Sequence, residues 1–300
     1  MKSTIFSVFG ILLMMFVPVS TFAQPIEPWM PVATFNTTSI KIHDMAVFHD
    51  SNGVEKLAIA EGSGIGAWIS FYDGSTLTRQ FQAPYKNYQV PAYWRSLVPF
   101  KGKLYAGLGD NAPTKPAGSP TTGEVWMYNP SQPTLGWKMV LQTTLTDIYT
   151  MAVYNHVLYA GAGQDGSKTA QLWASSDGKN WSLVKQFNGF SYVRSLAAFK
   201  GKLYIGLKEG GVLWSYDGTT FTNWGAPPLV TGIGLSQVKS LVPFGDLLYI
   251  GCVGEGVIDT FDGQKFAVSA DLSNIEVGIY KGTVANNTVF FPTEAKGPGG

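Results

Sequence analysis

The chain has 300 residues with 21 basic and 20 acidic side chains, and only 14% of it is charged, against about 25% in an ordinary soluble domain. This near-neutral balance excludes a charge-driven nucleic-acid or anionic-lipid surface. The single cysteine, Cys252, excludes an intrachain disulfide, and three histidines (His43, His49, His156) without ligand spacing exclude a zinc site, so no metal or cofactor is expected.

The amino terminus reads as an export signal. Lys2 gives the positive start, residues 5–17 are an apolar run, and Thr21-Phe22-Ala23 ends in residues suited to cleavage before Gln24. The run falls short of the roughly 20 apolar residues that a spanning helix needs. Residues 1–23 are therefore expected to leave, and 24–300 to form one domain in the periplasm or outside the cell, with no membrane span. Without Lys2, basic and acidic residues are equal in number.

After residue 24 one pattern recurs. Leu97-Val98-Pro99-Phe100-Lys101-Gly102-Lys103-Leu104-Tyr105-Ala106-Gly107 is echoed by Met151 to Gly161, Leu196 to Gly206 and Leu241 to Gly251. The closing glycines are spaced by 54, 45 and 45 residues, and self-similarity at such a period marks a repeat architecture. A weaker first copy starts at Met45-Ala46-Val47-Phe48. Each copy predicts four short strands: a run ending in Phe or Tyr, then Leu-Tyr-x-Gly, a third strand, and a fourth after an Asp-Gly or related turn. In one copy these last are Val212 to Tyr216, Asp217-Gly218, and Phe221 to Trp224. The segment 111–122 is a loop insertion, and Cys252 falls inside a strand as a small hydrophobe.

Four antiparallel strands per repeat, with no helix to cover them, predict an all-β fold, a β-propeller whose sheets bury their faces against one another. Five blades are clear and a sixth is partial. Trp29 to Asn36 is similar to the fourth strand Trp181 to Asn188, so an amino-terminal strand is expected to close the last blade. Glu276 to Tyr280 and Asn287 to Phe291 read as that blade's first two strands, with no third after them. Either the closing blade is short or the chain is a truncated copy of something longer; truncation is the favoured reading.

Ser175-Ser176-Asp177-Gly178-Lys179-Asn180-Trp181 resembles the Asp-box hairpin of sialidase-type propellers, one residue short. Gly210-Gly211, Tyr216 and Trp224 loosely follow the kelch order. The chain thus resembles the secreted bacterial propellers of the kelch-like and sialidase-like group. The resemblance implies that Ser175 and Asp177 hold a hairpin and are not catalysts. It is nearly silent on activity, since one fold hosts many functions.

Two sets of polar residues recur in register. Just after strand two stand Glu61, Asp110, Asp165, Glu209 and Glu255; just before strand one stand His43, Arg95, Tyr149, Arg194 and Lys239. Both sets are expected to ring one channel mouth. They would either neutralise each other between blades, the more heavily weighted reading, or hold a ligand through Arg forks and paired acceptors. Tyr88, Tyr93, Trp94, Phe190 and Tyr192 stand near the blade links, to stack on a sugar or to pack between blades.

Three functions follow. The first is an exported, non-catalytic, monomeric module binding a glycan, peptide or protein at its polar channel mouth. The second is a sialidase-like, glycan-cleaving enzyme built on Tyr149 beside Asp147, near Arg95 and Arg194. That family grips its substrate with three arginines, whereas Lys239 stands at the third place and lacks the planar fork. The third is a purely structural envelope or adhesion component. Binding without catalysis is preferred.

Overall fold

The computed structural model describes residues 41–63, 66–83, 92–110, 122–228, 236–254, 256–272 and 276–295. The expected signal peptide, the expected closing strand at Trp29 to Asn36, Glu255 and the side chain of Asp110 lie outside what is described.

Five successive units of four antiparallel strands account for most of the chain. The first comprises β1 (Lys41–His49), β2 (Glu55–Ser63), β3 (Gly66–Tyr72) and β4 (Leu77–Gln82). The second has β5 (Ala92–Phe100), β6 (Lys103–Asp110), β7 (Glu124–Tyr128) and β8 (Trp137–Gln142). The third has β9 (Asp147–Tyr154), β10 (Val157–Gly163), β11 (Thr169–Ser175) and β12 (Ser182–Asn188). The fourth has β13 (Val193–Phe199), β14 (Lys202–Leu207), β15 (Leu213–Tyr216) and β16 (Phe221–Gly225). The fifth has β17 (Gln237–Phe244), β18 (Leu247–Val253), β19 (Val257–Phe261) and β20 (Phe266–Asp271). No α-helix occurs among the described residues, and none of them forms a helix long and apolar enough to cross a membrane.

The fourth strand of each unit carries at most one buried residue, whereas the second strand is mostly buried. The middle strands β14 and β18 are mostly buried, while β20 is largely exposed. The hydrophobic cores lie between units rather than within them. Phe48, Ile69 and Phe71 of the first pack with Trp94, Leu97 and Leu104 of the second. Ala197, Tyr204 and Leu213 of the fourth pack with Val238, Ile250, Cys252 and Phe261 of the fifth. Each sheet buries its faces on its neighbours, and this is a β-propeller.

The recurrent strand-two glycine has a steric cause. A Cβ on Gly161 would stand 2.5 Å from Val193 Cγ1, and one on Gly206 would stand 2.5 Å from Val238 Cγ1. On Gly251 it would stand 2.7 Å from Ile279 Cγ2. The β-branched residue that opens the next unit's first strand sits flat on this glycine. That contact puts Ile148, Val193, Val238 and Ile279 at one structural position.

The chain end differs in detail from the sequence expectation. β21 (Glu276–Ile279) pairs with β24 (Thr293–Ala295), and β22 (Thr283–Ala285) with β23 (Thr288–Phe290). The expected two strands are thus one hairpin split in the middle, and its second strand runs on to Ala295. Lys281, in the split, pairs with Asp44 of β1 at 2.6 Å, which ties the last described unit to the first.

The Asp turn is structural, as the resemblance implies. Asp177 Oδ1 accepts from the backbone N–H groups of Lys179 and Asn180, both at 2.8 Å, and Ser175 Oγ accepts from Gly178 at 2.8 Å. The same bonding recurs at Asp73, Asp217 and Asp262. It is therefore a property of the repeat and does not single out one propeller group.

Candidate functional site

In every unit the pairing of the first two strands skips one residue of the first. The residue skipped is His43 in β1, Arg95 in β5, Tyr149 in β9, Arg194 in β13 and Lys239 in β17. A bulge of this kind re-aims the side chain it carries. The sequence-predicted basic and aromatic set is therefore one structural position repeated five times. The split hairpin supplies a sixth member that sequence reading missed. Ile279 occupies the place of Val238, so Tyr280 follows it as Lys239 follows Val238. The missed signal was an apolar residue just before the ring residue, as in Ile42-His43, Trp94-Arg95, Val193-Arg194 and Ile279-Tyr280.

These side chains touch in sequence around the ring. His43 meets Tyr93 edge-on, with ring centroids 5.1 Å apart. The Arg95 guanidinium carbon lies 4.4 Å from the centre of Tyr93 and 5.1 Å from that of Tyr149. The Arg194 guanidinium carbon lies 4.0 Å from Tyr149 and 4.1 Å from Tyr192. Lys239 Nζ stands 3.7 Å from the centre of Tyr280. Tyr93, Arg95, Tyr149, Arg194 and Tyr192 form an alternating ladder of phenols and guanidiniums, each contact a cation–π attraction.

Among the described residues, Asp147 is the carboxylate hydrogen-bonded to this ring. Asp147 is fully buried; its Oδ1 accepts from Arg95 Nε at 3.3 Å, and its Oδ2 accepts from the Tyr192 hydroxyl at 3.1 Å and Thr146 Oγ1 at 3.3 Å. Burial pushes its pKa up, and Arg95, Arg194 and the Tyr192 hydroxyl oppose that rise. Tyr192 is driven above the ordinary phenol range, by burial first and then by Asp147. Burial also acts upward on Tyr149, but the charges of Arg194, Lys239 and Arg95 outweigh it and leave the phenol more acidic than usual. His43 is lowered to about 3, first by burial and then by Arg95, Lys41 and Lys239, so it is neutral at pH 7. Lys239 belongs to the fifth unit and Arg95 to the second, and both act on His43 and Tyr149. The ring members face one common, positive space.

The acidic set is placed differently from the expected second ring. Glu61 is buried in β2, where it accepts from the Ser70 hydroxyl and pairs with Arg79 at 3.4 Å. Its pKa is raised by burial against the pull of Ser70 and Arg79. Asp165 pairs with Lys208 of the following unit. Glu209 accepts from the backbone and hydroxyl of Ser191, clamping the link into β13. These three carboxylates serve local and interblade contacts. Among the described residues, the carboxylate bonded to a ring cation is Asp147, two positions before Tyr149. Of the link aromatics, Tyr93 and Tyr192 belong to the ladder, and Trp94 is buried in the core between the first two units. Phe190 packs on the core between the third and fourth units. Tyr88 lies outside the described residues.

No protein-family model matches the chain, and no curated protein matches it. Solved structures match at the level of fold. The extracellular domain of the putative one-component system BT4673 from B. thetaiotaomicron has a TM-score of 0.57 and 18% identity, with 86% of this chain covered. This chain spans only 31% of that one. A chain of a nidogen/laminin complex has a TM-score of 0.51 and 11% identity over 82% of this chain and 83% of its own. A prolyl endopeptidase has a TM-score of 0.51 and 11% identity over 91% of this chain and 42% of its own. Identities this low speak for the fold alone.

Proposed function

We propose that the chain is an exported, non-catalytic propeller module that binds a ligand at the ring of bulged side chains. The supporting observation is that His43, Arg95, Tyr149, Arg194 and Lys239 occupy the same bulge in five successive first strands, with Tyr280 against Lys239. The bulge takes these five side chains out of the regular strand pairing, and all five are polar or aromatic. Export rests on the signal-like residues 1–23 and agrees with the extracellular origin of the BT4673 domain. The ligand class spans glycans, peptides and proteins.

The hydrolase alternative is weaker. Asp147, the carboxylate beside Tyr149 among the described residues, is fully buried and held by three donors. A general acid must reach the leaving group of its substrate.

The test is a glycan and peptide array probed with the purified chain and with an Arg194→Ala/Lys239→Ala variant. Both substitutions spare the Arg95–Asp147 pair. Selective binding that disappears in the variant while its Tm stays put is the expected result. Binding that survives both substitutions would move the site away from the ring.

A further inference from the structure

Arg95 and Arg194 occupy the same strand position and differ in what they hold. Arg95 donates to Asp147. Arg194 makes no hydrogen bond or ion pair with any described residue, and its Nε is buried without an acceptor. Its neighbours are the rings of Tyr149 and Tyr192, which meet the guanidinium from two directions and stand at 69° to each other. The aromatic ring of a phenol offers no oxygen acceptor to this planar group with its five N–H donors. The guanidinium cannot shed its proton, so a charge with unused donors stays in a partly buried place. Withdrawing such donors from water is unfavourable unless an acceptor is supplied.

Resting on the reading of the ring as a binding site, we infer that its ligand carries an anionic oxygen group, and that Arg194 and Tyr149 anchor it. The two phenol rings that touch the guanidinium hold it in place before the ligand arrives, so little side-chain entropy is lost on binding. The Tyr149 hydroxyl adds a donor beside it. The shift of Tyr149 toward its ionised form reports the positive potential that an incoming anion would meet. Carboxylate, sulfate and phosphate groups share the acceptor geometry that a guanidinium fork recognises. A neutral sugar offers hydroxyls but no charge.

The full chain is titrated with acetate, sulfate and phosphate at constant ionic strength, and with galacturonate and galactose as an anionic and neutral pair. Arginine Nε resonances and tyrosinate absorbance are followed in the wild type, in Arg194→Ala and in Arg194→Lys. The expected result has three parts. At least one anion moves the Arg194 Nε signal saturably and shifts Tyr149 ionisation to higher pH. Its affinity falls about tenfold or more in Arg194→Ala, the loss of a charge-assisted hydrogen bond. Arg194→Lys keeps part of it. The wild-type resonance shift decides the matter even where a variant folds poorly, and the three anions separate the carboxylate, sulfate and phosphate forms of the same chemistry. Galactose bound as well as galacturonate and lost in Arg194→Ala would overturn the anion and leave the ring as a site. An anion bound equally well in Arg194→Ala would overturn both. No saturable anion effect would mean that water alone meets Arg194, and the inference would fall.

Discussion

Arg95 and Arg194 stand at the same bulge two units apart, each against the face of Tyr149, and they carry opposite consequences. Arg95 is 7% exposed and joined to a fully buried carboxylate, so it belongs to the frame. Arg194 lies against two phenol rings and makes no hydrogen bond or ion pair with a described residue, so its donors are available to a partner. One repeated backbone position can thus hold a structural cation and a receptive one. The difference comes from the residue two positions before Tyr149: the third unit places Asp147 where the second and fourth have Tyr93 and Tyr192.

The sharpest way to break this comparison is to truncate each arginine and measure unfolding in urea. Arg95→Ala leaves Asp147 buried without its cation and should cost about 3–5 kcal/mol. Arg194→Ala should stay within about 1 kcal/mol, because an orphaned donor disappears along with the stacking. Equal losses would dissolve the distinction. Replacing Arg95 and Asp147 together by Met and Leu should recover most of the Arg95→Ala loss, since apolar side chains of similar size often replace a buried ion pair at little cost.

A smaller effect tests the packing that aims the ring. Gly161→Ala drives a Cβ to 2.5 Å from Val193 Cγ1, the residue next to Arg194, and should cost about 1–3 kcal/mol by overpacking. The same change at Gly201, a turn glycine with φ +71° and nothing within 4 Å, meets backbone strain but no clash. If the two losses match, strand-two glycine is not the spacer between units.

The smallest effect is the pH dependence carried by His43. Its folded pKa of about 3 lies below the ordinary 6.5, so the unfolded chain takes up a proton at this site first. The contribution is complete above pH 6.5 and declines as the pH falls from 6.5 toward 3. Unfolding free energy followed across that window should fall less steeply in His43→Phe than in the wild type. An unchanged slope would remove His43 from the positive space that Arg95 and Lys239 create.

Much of the fold was legible because the repeat keeps its register. The Phe-turn-Leu-Tyr-x-Gly pattern fixed where each first and second strand begins, and so counted His43, Arg95, Tyr149, Arg194 and Lys239 onto one position. Tyr280 escaped because the last hairpin lacks the glycine signature that anchors the count. The acidic set misled for another reason. Sequence spacing put Glu61, Asp165 and Glu209 just after strand two, whereas Glu61 lies within β2, and an ion pair depends on which side chain faces it from another strand or unit. Arg79, Lys208 and Ser191 come from strands or links whose facing partners no linear spacing reveals. Asp147 was read only as a neighbour of Tyr149, whereas its partner Arg95 lies in another unit.

By itself the sequence determined the all-β repeat, the antiparallel units and the position that recurs, because those follow from periodicity and short-range turn chemistry along a single strand pair. Only the tertiary structure decided which arginine is spent on a buried carboxylate and which keeps its donors. Burial and charge pairing are set between sheets, where residues far apart in sequence come within 3–5 Å.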